Sequence, residues 1–171
     1  MGAGLYPPPI NLTAPRGTKA FAFVTSTAYV GDTETRAYLT TWKAEASRLY
    51  RVQLNIGSVD ADAVGDVSSV ADHGSKNSAI IRGRWAAGTD ATVTSTDAGY
   101  MLASVFDDDS QFSSGTTVTW HIGGAPAGDI AWAVTLKAYK PAATYGSIRL
   151  LSTGAASSLT VEDVGPWPVV P

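Results

Sequence analysis

The chain is 171 residues long, lacks cysteine, and carries 16% charged residues with a formal net charge of −3. A domain of that length buries about two thirds of its unfolded surface, so it needs no disulfide or metal for stability. The missing cysteines exclude a disulfide framework, thiolate catalysis and zinc–thiolate sites. The twelve scattered Lys and Arg form no basic run for a nucleic acid.

Residues 1–16 read as an arm. The run MGAGLYPPPI has neither the basic nor the long apolar region of a secretory signal. Tyr6 stands where a myristoylation motif wants Ser or Thr. No apolar run approaches the roughly 18 residues that span a bilayer, so the expectation is a chain that acts in solution, away from a membrane. Leu5-Tyr6-Pro7-Pro8-Pro9-Ile10 has the composition of a stiff polyproline segment, extended and without internal hydrogen bonds.

From there the pattern is β. Strands are predicted at 19–25 and 35–42. Residues 42–49 suit a single helical turn or a hairpin connection. Tyr50-Arg51-Val52-Gln53-Leu54-Asn55-Ile56 alternates apolar and polar residues and is the cleanest strand, with Tyr50, Val52, Leu54 and Ile56 toward a core. Residues 57–77 then read as a long loop carrying Asp60, Asp62, Asp66 and Asp72. A calcium loop counted from Asp60 matches at Gly65 but has Val64 and Ala71 where oxygen ligands belong, so a solvated acidic loop is the preferred reading.

Further strands are predicted at 78–85 and 100–106. The second ends in Phe106-Asp107-Asp108-Asp109-Ser110, three adjacent carboxylates better suited to a turn than to a cation. Thr116–Ile122 places Val118, Trp120 and Ile122 inward. His121 then points out of the sheet. Ile130–Tyr139 places Ile130, Trp132, Val134 and Leu136 inward, and 147–151 and 158–164 complete the set. Turns rich in Gly, Asp, Ser and Pro separate these runs.

Eight or nine short strands predict an all-β fold: one β-sandwich over residues 17–164, Greek-key or jelly-roll, with a closed barrel as the alternative. The expected core contains Val52, Leu54, Val118, Trp120, Trp132 and Val134. Residues 165–171 read as a tail, because three prolines between 166 and 171 cannot serve a sheet interior.

Catalytic signatures are missing from the sequence. There is no G-x-S-x-G elbow, no H-E-x-x-H, no phosphate-binding glycine loop, and only two histidines, His73 and His121. The three glutamates, Glu34, Glu45 and Glu162, cannot be paired from sequence. The expectation is a protein that is not an enzyme and uses no cofactor or metal.

The run Leu159-Thr160-Val161-Glu162-Asp163-Val164-Gly165-Pro166 resembles the ending of small β-domain virion proteins from phages of actinobacteria, which close on L-x-V-E-D-[IV]-G-P. Arg48-Leu49-Tyr50-Arg51-Val52, the stretch from Asn77 to Gly88, and Phe106–Ser110 fit the same likeness, which covers residues 35–166. It implies a non-catalytic structural component of the virion, assembled in the host cytoplasm: a minor tail protein, a capsid decoration protein or a head fibre. An Ala-, Gly- and Thr-rich, cysteine-free composition suits a high-GC phage gene.

On that reading the arm and tail are the contact points. Tyr6, Pro7, Pro8, Pro9, Ile10, Trp167, Pro168 and Val169 are expected to bind other virion proteins or copies of the same chain, with a trimer as first guess. Exposed apolar ends mark interaction sites, and tryptophan is enriched at interface hot spots. The alternative is a carbohydrate-binding sandwich that attaches to host surface glycan. For it, Trp42, Trp85, Tyr100 and Tyr145 would form the platform.

Overall fold

The computed structural model describes residues 16–62, 75–107, 114–139 and 146–168. Nine strands carry the fold: β1 (Gly17–Phe23), β2 (Thr35–Ala44), β3 (Arg48–Asp62), β4 (Ser75–Ala87), β5 (Thr96–Asp107), β6 (Ser114–Gly123), β7 (Gly128–Tyr139), β8 (Ser147–Leu151) and β9 (Ser158–Pro166). The only helix among the described residues is a 3₁₀ turn at Gly154–Ala156.

The strands pair as a single long hairpin rolled on itself. β1 pairs with β9, β2 with β7, β3 with β6 and β4 with β5, all antiparallel. The result is two sheets, ordered β1-β9-β3-β6 and β2-β7-β4-β5, with β8 added to the far half of β3. This is the winding of a jelly roll, two stacked sheets with no closed barrel among the described residues. The edges are β1, β6, β2 and β5.

The winding gives the sandwich two unlike ends. The base gathers Gly17, Arg48, Gly123 and Pro166 in one sheet. The other sheet brings Ala44, Ala87 and Gly128 to the base. The opposite rim gathers Phe23, Asp62, Ser75, Asp107, Ser114, Tyr139 and Ser147. Residues 16 and 168 therefore lie at the same end.

Every strand read from the sequence is present, most with shifted ends, and three differences change the reading. Residues 57–62 and 75–77 belong to β3 and β4 instead of a long loop. The polar run Ser58–Asp62 stays extended because β8 supplies a ladder to it. Residues 42–49 are neither helix nor hairpin: β2 and β3 lie in different sheets, and residues 45–47 cross between them. The last strand runs on to Pro166, two residues into the stretch read as tail. Gly165 and Pro166 pair with Leu49 and Arg48 there, and proline is tolerated at a strand end.

The core is built as the alternation requires. Val52, Leu54, Trp132 and Val134 are fully buried, and Val118 and Trp120 nearly so. Trp120 and Trp132 pack with ring centroids 5.3 Å apart at 59°. Such pairs contribute about 0.5–1.5 kcal/mol beyond area burial. Gly83 makes room for them, since a methyl group there would overlap the Trp132 ring.

Candidate functional site

The base is where the sequence motifs meet. Arg48 opens β3 and Asp163 lies near the end of β9, and the two strands are ladder neighbours. Both side chains face inward, with residue exposures of 4% and 1%. Arg48 Nε donates to Asp163 Oδ2 at 2.9 Å and Nη2 donates to Oδ1 at 2.5 Å. The Gly165 N–H also donates to Oδ1. The bidentate pair raises the already high pKa of Arg48. One residue away the faces invert: Glu162 points outward and pairs with Arg51. The R-x-Y-R-V and E-D segments are thus one charge-matched interlock between two strands.

Beyond Pro166 the chain folds back on the base. The Trp167 N–H donates to the Ser47 carbonyl at 2.8 Å. Its indole lies against Gly123 and Gly124, and a side chain at Gly123 would enter the ring. Trp167 is still 41% exposed. One part of the ring is held by its own sandwich and the rest is open. Pro168 beside it is exposed. Tyr6, Pro7, Pro8, Pro9, Ile10 and Val169 lie outside the described residues.

The sequence reading missed a second apolar feature. In β1, Ala20 and Ala22 sit opposite Val161 and Leu159, whereas Phe21 and Phe23 face outward, 55% and 64% exposed. Their rings meet edge to face at 5.1 Å. An A-F-A-F run offers apolar residues to both faces, and periodicity alone would turn the larger ones inward. A register shift between Thr18 and Ala20 fixes the opposite choice.

Of the acidic candidates, only the side chain of Asp60 lies within the described residues. Asp60 is 4% exposed and accepts hydrogen bonds from Arg149 Nε at 2.7 Å and Tyr29 Oη at 3.1 Å. Arg149 also lies over the Tyr29 ring. Asp107 ends β5; the side chains of Asp62 and Asp107 and all of Asp66, Asp72, His73, Asp108 and Asp109 fall outside what is described. Among the described residues, no three His, Asp or Glu side chains converge to hold a metal.

Glu34, Glu45, Asp60, Asp90, Asp97, Glu162 and Asp163 each face an arginine. Glu34 accepts from Arg84 and from the Thr135 hydroxyl, and the Arg84 hydrogen bond leads in holding its carboxyl below the ordinary value. Glu34, pinned in this way, stays ionised near neutral pH and is a poor proton carrier.

Among the described residues, Trp42, Trp85 and Tyr100 do not form a shared aromatic platform. Trp42 is 4% exposed and packs on Tyr50 in the core, because its position in β2 points inward opposite Ile130. Trp85 is half-buried against the same core, and Tyr145 is outside the described residues. Tyr100 alone stands exposed, at 56%. His121 is exposed, as its strand phase requires.

Fold and base together define an antiparallel jelly-roll domain with residues 16 and 168 at one pole. No helix among the described residues is long and apolar enough to cross a membrane. Residues 1–169 match the family described as Domain of unknown function (DUF7298), and the chain belongs to that family. Comparison with curated proteins finds no match.

Proposed function

We propose that this protein is a non-enzymatic structural component of a bacteriophage virion, a minor tail protein or a capsid decoration or head-fibre protein, held in the particle by the base of its sandwich. The observation that carries the proposal is the convergence of residues 16 and 168 on one pole, where Trp167 is half-open. A domain anchored at the pole that holds residues 16 and 168 leaves the opposite rim free to face outward. The jelly roll suits the role, since it recurs in viral capsid proteins.

Phe21 and Phe23 support association as well. They line a free sheet edge whose outward N–H and C=O groups are unpaired by any strand among the described residues. Exposed apolar edges of this kind are natural contact surfaces. Copies of the same chain and neighbouring virion proteins are the partners, with a trimer as the first assembly to test.

The experiment uses particles of the phage that encodes the chain. The parent protein is expected in purified particles. A Trp167→Ala variant and a variant lacking residues 1–12 are expected to fold and to incorporate poorly. Absence of the parent from particles, or full incorporation of both variants, overturns the proposal.

A further inference from the structure

At the side of the sandwich, two free edges from opposite sheets run next to each other. β5 ends one sheet and β6 ends the other, and no ladder joins them among the described residues. Between them lies a groove of about 370 Å³. That volume falls in the lower part of the range of small-molecule sites, about 300–1,000 Å³. One wall is Gly99, Tyr100 and Met101, and the other includes Thr119, Trp120 and His121. Trp120 is 5% exposed and its Nε1–H donates to the Gly99 carbonyl at 3.0 Å, which ties the two walls together.

The lining has a definite chemistry. Its rim is a phenol, a threonine hydroxyl and an imidazole, and Tyr100, Thr119 and His121 are all exposed. Among the described residues, no carboxylate, lysine or arginine lines it. Two arginines stand beside it and both are paired: the Arg82 guanidinium sits 5.0 Å from the Tyr100 ring centroid and pairs with Asp97, and Arg51, opposite His121 in the ladder, pairs with Glu162. The Arg82 contact holds the tyrosine ring in place as a fixed aromatic face.

We propose that the groove between β5 and β6 binds an uncharged saccharide, with Tyr100 as the stacking face and Thr119 and His121 as hydrogen-bonding partners. A pyranose presents an apolar C–H face and a rim of hydroxyls, which matches an aromatic ring flanked by neutral donors and acceptors. An anion would meet only arginines already paired with Asp97 and Glu162. An extended peptide is the other occupant such edges accept, by adding a strand. The geometry of β5 disfavours it. The ladder shifts register between Arg82 and Arg84, opposite the segment from Asp97 to Tyr100, and Gly99 has φ +95°. A bulged edge offers no regular ladder to a new strand.

The inference is independent of the virion role, and its test uses the purified chain alone. Isotope-labelled protein is titrated separately with cellohexaose, maltohexaose, mannohexaose and hexa-N-acetylchitohexaose, and with an extended Val-Thr repeat peptide. At least one hexasaccharide is expected to shift the amides of residues 98–101 and 118–121 at millimolar concentration. Tyr100→Ala is expected to weaken that binding about tenfold, roughly the value of one aromatic contact. His121→Ala should also weaken it, and Tyr139→Ala, an exposed tyrosine away from the groove, should bind like the parent. The proposal is overturned if no hexasaccharide moves those amides, if only the peptide does, or if binding survives both Tyr100→Ala and His121→Ala unchanged.

Discussion

Asp163 and Glu162 are adjacent in sequence and sit in opposite environments. Asp163 is buried against Arg48, whereas Glu162 pairs with Arg51 at the sheet surface. Breaking a buried pair leaves an uncompensated charge and costs about 3–5 kcal/mol. Breaking an exposed pair costs about 0–1 kcal/mol. Urea unfolding of Asp163→Ala and Glu162→Ala is therefore expected to separate the two by several kcal/mol, and similar losses would show that the interlock is misread. Acid adds a second residue-scale effect, through Glu34. Its folded pKa lies below the ordinary 4.5 mainly because Arg84 hydrogen-bonds the ionised carboxylate. The unfolded chain takes up the proton first, so the stability from this pair is complete above pH 4.5 and is lost as pH falls through the lower folded value. The urea midpoints of the parent and Glu34→Gln should differ more at pH 6 than at pH 3. An equal gap at both pH values would remove Glu34 from the acid response.

At the level of elements, strands were legible where alternation was strict. Tyr50–Ile56 and Ile130–Tyr139 announced their faces because one side is apolar and the other polar. β3 was cut short in the sequence reading because Ser58, Asp60 and Asp62 look like loop residues. Their extended form depends on β8, almost ninety residues away, and Asp60 is tolerated in the interior because Arg149 comes with that strand. β1 hid its phase because both faces are apolar. Trp167 could be recognised as unusual, but its seat could not, because the glycines under it belong to a different strand and turn. That seat is testable. Gly123→Ala puts a methyl group into the indole and should release Trp167, raising its accessibility to a collisional fluorescence quencher. The losses of stability from Gly123→Ala and Trp167→Ala should then be non-additive, as expected for contacting residues. Strict additivity would mean that the ring is held elsewhere.

For the whole molecule, the fold class and core were readable from the sequence, and the grouping of surfaces was not. A jelly-roll winding cannot be read from strand pattern alone, yet it decides that residues 16 and 168 share a pole and that β5 and β6 run side by side. The assembly role and the groove both follow from that winding. The chain has no cysteine, so a single introduced thiol reports on one place only. Ala46, in the turn after β2, is exposed at the base, and Ala28, between β1 and β2, is exposed at the rim. The most direct test of anchoring by the base is maleimide labelling of Ala46→Cys and Ala28→Cys in free protein and in assembled particles. Assembly should slow labelling of Ala46→Cys sharply and leave Ala28→Cys nearly unchanged. Equal rates for Ala46→Cys in the two states, or protection of Ala28→Cys instead, would contradict it.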